Sequence, residues 1–172
     1  GVEMIVNHVI RKKVNVGKKS DKILKLHWEI TRFEDWKQDQ LKWYEWMIAI
    51  VMAFTMGLRG AEQYENEEAH MKEYGVKLKD MSWMWMARGR LKKSNMFTRN
   101  TDKLESMLLR LRNSKTMGEN EQVMLALGKN EGEKSIIHNL YRWYHYRKKE
   151  GGKKWKEIFL FSLKLGEVND MW

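Results

Sequence analysis

The chain has 172 residues with 33 Lys/Arg against 23 Asp/Glu, a formal net charge of +10. That length supports one hydrophobic core, and the positive field favours a polyanionic partner: nucleic acid, an anionic membrane or an acidic protein. No cysteine is present, which excludes disulfide frameworks and thiolate metal sites, and five scattered histidines without a His-x-x-x-His pair argue against any metal site.

Taken in chain order, residues 2–14 carry Ile5, Val6, Val9 and Ile10 as one helical stripe. Asn15 to Gly17 breaks it, and Ser20 is placed to cap a second helix lined by Ile23, Leu24, Leu26, Ile30 and Phe33. The spacing predicts a third helix over 38–54, burying Leu41, Tyr44, Ile48, Val51 and Met52. The longest apolar run, Trp46 to Leu58, is shorter than the roughly 20 residues a membrane helix needs, so no membrane span is expected. The first ten residues carry no basic flank before an apolar stretch, so no secretory signal is read there.

Between 55 and 80 the helical period fails, and Gly57, Gly60 and Gly75 punctuate an irregular or β-ribbon arm that ends in Val76-Lys77-Leu78. Ser82 then reads as the cap of an apolar helix, Trp83 to Leu91. A further helix is expected at 102–113, with Leu104, Leu108 and Leu111 on one face, followed by helices near 120–127 and 133–148. After Gly151-Gly152 comes a last amphipathic stretch from Trp155 to Leu165, in a C-terminal helical extension at about 153–172. The expected fold class is mainly α: a single domain over 1–172, a helical bundle of about six helices with an inserted β-ribbon or irregular arm.

Positive charge is concentrated. Residues 1–27 hold seven Lys/Arg against two Asp/Glu, residues 87–115 nine against two, and residues 138–156 seven against one. One such segment reads as a solvated helix face; three that converge make a polyphosphate-binding surface. Arginine forks onto two phosphate oxygens, and lysine acts as a mobile point charge. In the third segment Tyr141, Trp143, Tyr144 and Tyr146 alternate with Arg142, His145 and Arg147, so one face packs while the other offers rings to unpaired bases.

The ordered motifs resemble one family. Val6-Asn7 followed by Gly17-Lys18-Lys19-Ser20, then Gly60-Ala61-Glu62-Gln63-Tyr64, resembles the first helix and the β-arm of small-subunit ribosomal protein seven. Trp83 or Trp85 with Ala87-Arg88-Gly89-Arg90 and Lys93-Ser94-x-Met96 is similar to a later helix of that family. Asn139 with Tyr141-Arg142-Trp143 is similar to its terminal signature. The resemblance covers about residues 4–147.

It implies a non-catalytic constituent of the small ribosomal subunit, without cofactor or metal. Such a protein binds the 3′ major domain of small-subunit rRNA beside neighbouring ribosomal proteins, close to exit-site tRNA and mRNA. The RNA-binding residues would be Arg11, Lys12, Lys13, Lys18, Lys19, Arg59, Lys77, Lys79, Arg88, Arg90, Lys92, Lys93, Tyr141, Arg142, Trp143 and Arg147. The chain departs from the family in its arm, where Glu62, Glu65, Glu67, Glu68 and Glu73 replace a basic, proline-containing segment. Those carboxylates are expected to face a protein neighbour or solvent, since they repel phosphate. The usual basic N-terminal extension is missing, and residues after about 152 have no counterpart.

Zero proline with 13 Met and 9 Trp fits the codon bias of a small genome, so a mitochondrial ribosome is the expected location. Two other classes stay open. Phe54 to Glu62 is similar to the first arginine box of tyrosine recombinases, with Arg59 on the scissile phosphate, although the His-x-x-Arg motif and a later tyrosine nucleophile are missing. Alternatively, the Met- and Trp-rich helices make a helical adaptor within a larger complex.

Overall fold

In a computed structural model, residues 41–66, 74–112, 123–129 and 136–171 are described. The helices expected over 2–14 and from Ser20, together with Arg11, Lys12, Lys13, Lys18, Lys19 and the acidic residues Glu67, Glu68 and Glu73, lie outside them.

The predicted helix at 38–54 is found as α1, Leu41–Met56. It is apolar almost all round, and Tyr44, Met47, Ile48, Ala49, Ile50, Val51, Met52 and Met56 are buried, as befits a helix running through a core. Gly57 ends it with φ 68°, and the Leu58 N–H donates to the Ala53 carbonyl at 2.9 Å. This is the Schellman closure, in which a left-handed residue, usually glycine, satisfies the last helical carbonyls. A single turn of helix, α2 (Gly60–Gln63), follows and is held to α1 by the Gln63 side-chain amide, which donates to the Ala49 carbonyl at 2.7 Å.

Most of the next region overturns the helical reading. The strands are β1 (Met81–Ala87), β2 (Arg90–Lys93), β3 (Leu104–Leu111) and β4 (Val123–Gly128). They form one antiparallel sheet in the order β2-β1-β3-β4. The protein is therefore a mixed α and β fold, not a bundle of about six helices. In their described residues, three expected helices, at Trp83 to Leu91, 102–113 and 120–127, are strands or a hairpin.

The physical reason lies in side-chain period. Along β1 burial alternates, with Met81, Trp83 and Trp85 inward and Ser82, Met84 and Met86 outward. Because both faces carry Met, the alternation is hidden in a run that looks uniformly apolar. Along β3 the inward set is Leu104, Met107, Leu109 and Leu111, and its first gap is three residues rather than two. A bulge causes this: Met84 pairs with Ser106 and Trp85 with Leu104, leaving Glu105 as the extra residue. A gap of three followed by twos is easily mistaken for a helical stripe.

One face of the sheet packs against α1 and against α3 (Ile136–Gly151), which matches the helix expected at 133–148. The result is two layers over one core. Trp83 sits at its centre, fully buried, with edge-on contacts to Tyr141 at 5.1 Å and Tyr144 at 5.4 Å.

The described parts of the expected arm, residues 55–66 and 74–80, pack into the fold rather than project from it. Leu58, Tyr64, Val76 and Leu78 are core residues. Backbone bonds from Leu160 N–H to Val76 O (2.8 Å) and from Leu78 N–H to Ile158 O (3.1 Å) stitch the segment to the chain beyond α3. Gly75 (φ 95°) permits this, because a Cβ there would fall 2.9 Å from the Tyr64–Glu65 backbone. The expected C-terminal amphipathic stretch is instead a 3₁₀ turn (Gly152–Glu157), an extended run through buried Leu160 and Phe161, and α4 (Leu165–Met171).

Candidate nucleic-acid interface

Two cationic features stand out, joined in the chain by the loop that follows β2. The first is the β1–β2 hairpin. Its two turn residues, Arg88 (φ 51°) and Gly89 (φ 75°), both lie in the left-handed region, the geometry of a type I′ turn that matches strand twist. Arginine is a poor choice there, since only Gly, Asn and Asp enter that region readily. Beyond the turn, all four β2 residues are exposed: Arg90, Leu91, Lys92 and Lys93. Lysines on an edge strand also block strand addition by other chains, a role compatible with holding phosphate.

The second feature is a groove of about 970 Å³ between α3 and the loop that follows β2. Its floor is one helix face: His138, Tyr141, Arg142, His145, Lys148 and Lys149 recur at the spacings that align side chains on a helix. Its rim is Phe97 to Thr101, and Trp155 closes the far end. Every ionised side chain in the lining is cationic, namely Arg99, Arg142, Lys148 and Lys149, with no Asp or Glu among them.

Hydrogen bonds stitch the rim to the helix. Asn95 accepts the Trp83 N–H at 3.2 Å and donates to the Met81 carbonyl at 3.1 Å, locking the loop's start to β1. Lys148 Nζ donates to the Asn95 carbonyl at 3.1 Å. The Tyr141 hydroxyl accepts the Thr98 N–H at 2.9 Å and donates to the Met96 carbonyl at 3.2 Å. Thr101 Oγ1 lies 2.8 Å from His138 Nδ1.

Burial is the main influence on the titratable groups in and under the groove. Burial, with Lys148 nearby, pushes His145 down to about 4, so its imidazole is neutral at physiological pH. Its ring stands edge-to-face against Tyr141 (4.4 Å), Tyr144 (4.9 Å) and Phe97 (5.2 Å). His138 is also lowered, by burial and then Lys129, against the opposing pull of Asp102. Burial and Lys156 lower Lys148, whose ammonium lies 4.4 Å from the Trp155 ring centroid. Burial raises the Tyr141 and Tyr144 phenols, Tyr144 to about 12.

The sequence-predicted residues divide sharply. Arg88, Arg90, Lys92 and Lys93 are exposed on the hairpin, and Arg142 is in the groove wall. Tyr141 is buried on its ring faces and serves the groove through its hydroxyl. Trp143 cannot stack on a base: it is 1 % exposed, and its indole N–H donates to the Leu160 carbonyl at 2.8 Å. Lys77 is buried and, with Lys79, grips Glu157 at 3.2 and 3.1 Å. Those two lysines hold the Glu157 carboxyl below the usual range.

Arg147 donates twice to the Phe159 carbonyl, at 2.9 and 3.2 Å, and once to Glu150. The half-buried Arg59 precedes α2, its backbone N–H held by the Glu62 carboxylate at 2.9 Å. Among the acidic residues once assigned to the arm, Glu62 is thus a buried structural acceptor, and Glu65 pairs through its backbone with Lys164 and Leu165.

Phe97, Arg99 and Lys149 were missed by sequence reading, although 88–99 is a stretch without any Asp or Glu. The recombinase reading needs Arg59 beside His138 and Arg142, yet only the latter two line the groove. Comparison with protein-family models, with curated proteins and with solved structures finds no match. The ribosomal resemblance therefore rests on its short motifs, and Ala87-Arg88-Gly89-Arg90 occupies a hairpin turn rather than a helix. Among the described residues no helix is long and apolar enough to cross a membrane.

Proposed function

We propose that the chain is a non-catalytic RNA-binding protein and a constituent of a ribonucleoprotein, with small-subunit rRNA as the partner that the motif resemblance names. The observation that carries this reading is a groove lined by rings and cations with no acidic side chain, whose rim loop follows an exposed cationic strand in the chain. Cations of that kind hold the phosphate backbone, while ring faces suit bases freed from a helix. An organellar ribosome is the setting that the proline-free, Met- and Trp-rich composition favours.

RNA binding by the full chain, measured over a series of salt concentrations, tests it. Affinity should fall linearly on log–log axes, each phosphate contact contributing about 0.7–0.9 to the slope. Binding that ignores salt overturns the reading. Co-sedimentation of the protein with small subunits in its native extract tests the ribosomal part separately.

A second reading is supported by the outer face of the sheet, where Met84, Met86 and Leu108 are half-exposed and Met124 is 47 % exposed. Apolar side chains in such a row suit a protein neighbour, as in an adaptor. A protein complex that survives ribonuclease and high salt favours it.

A further inference from the structure

We infer that the groove is a site for one unpaired nucleotide, with the Phe97 ring as the platform on which its base stacks and Arg99, Arg142 and Lys149 around its phosphates. This rests on the RNA-binding reading above and deepens it.

The first ground is the way Phe97 is held. Its side chain is 65 % exposed, beside Met96 at 76 %. An apolar loop tip in water has no reason of its own to be fixed. Here the backbone is clamped on both sides of the ring, since one phenol, Tyr141, binds Met96 and Thr98 at once. Lys148 fixes Asn95 just before them. The Phe97 ring lies parallel to Tyr141 (5° between planes, centroids 6.4 Å) and takes the edge of His145 at 5.2 Å. An exposed ring with its orientation already set loses little freedom when a ligand arrives.

The second ground is charge. All ionised groups of the lining are positive, which repels a cationic segment and accepts a phosphodiester. A duplex keeps its bases stacked on one another, so it can offer phosphates here but no ring face. Single strands, bulges and loops offer both.

The experiment uses the full chain, a labelled short oligouridylate and a blunt RNA duplex of equal length, with affinities read by anisotropy. Phe97→Ala should weaken the single strand about 5- to 150-fold, the range of one lost base–aromatic stack. It should leave duplex affinity and the salt slope unchanged, and Phe97→Trp should restore single-strand binding. Far-UV circular dichroism confirms the fold of each variant, which an exposed side chain leaves intact.

The inference is overturned if Phe97→Ala binds the oligouridylate as tightly as the unaltered chain, or if it weakens strand and duplex alike. In both cases a normal salt slope would leave the RNA-binding reading standing. Absence of any salt-dependent binding to either RNA would overturn that reading itself.

Discussion

Arg88 combines a poor backbone choice with an exposed positive charge. Its φ of 51° places a long side chain where Asn or Gly would sit with less strain. Arg88→Asn should therefore raise stability by about 0.5–1 kcal/mol in urea unfolding, the size of gain typical when a turn residue is matched to its geometry. The same change should reduce the log–log salt slope of RNA binding by about 0.7–0.9 if Arg88 meets a phosphate. A variant that gains stability and keeps the slope would show that Arg88 stays clear of RNA.

His145 makes a prediction about pH. Its value of about 4 is below that of the unfolded chain, near 6.5. Between those values the unfolded state binds a proton that the folded state refuses, so this group lowers stability as pH falls through the window and adds nothing more below it. The buried Glu45 carboxyl is raised by desolvation and acts with the opposite sign. The difference between the parent and His145→Phe isolates the histidine. The variant should lose less stability than the parent between about pH 6.5 and 4, and identical slopes in chemical unfolding would refute the assignment.

At the level of elements, sequence and structure agree where helical period is continuous. Both α1 and α3 were legible, because Tyr44, Ile48, Val51 and Met52 in one and Tyr141 and Tyr144 in the other keep helical spacing. The strands were illegible for local reasons: Met on both faces of β1, and Glu105 bulging from β3. The groove was half legible. Its floor follows the helical spacing of α3, while its rim depends on a loop that Tyr141 ties to the helix and Asn95 ties to β1.

Long-range tethers were invisible for the same reason. The Glu45 carboxylate on α1 accepts the Ser162 N–H (2.9 Å), the Ser162 hydroxyl (2.6 Å) and the Leu163 N–H (3.2 Å), across more than a hundred residues. Removing an acceptor of several bonds strands its donors, so Glu45→Ala should cost about 2–3 kcal/mol. Hydrogen exchange should quicken first at Ser162 and Leu163; unchanged protection there would mean that the core, not Glu45, holds the segment.

At the scale of the whole molecule, several of the 33 Lys/Arg are unavailable to a polyanion. Arg110 and Arg112 converge on Asp80, whose side chain is 1 % exposed, at 3.2 and 2.8 Å. Lys77, Lys79 and Arg147 are likewise held by the protein. Counts of basic residues along the sequence cannot separate such internal pairs from surface cations. Among the described residues, the stretch from Arg88 to Arg99, strand and groove rim, is basic and without an acidic residue.

Lys93 and Phe97 are four residues apart, at most about 14 Å of extended chain, so one RNA strand can lie on both features. A long single strand then gains from two linked contacts, whereas a very short one occupies only the groove. Reversing charge at Lys92 and Lys93 should therefore weaken a long strand and leave a short oligonucleotide almost untouched. Reversal at Arg99 and Lys149 should weaken both. With all four reversed, the losses in log affinity for the long strand should add, as for sites without shared partners. Equal effects of the hairpin change on long and short strands would mean that hairpin and groove are one compact site, and no effect on either would leave β2 as a guarded sheet edge alone.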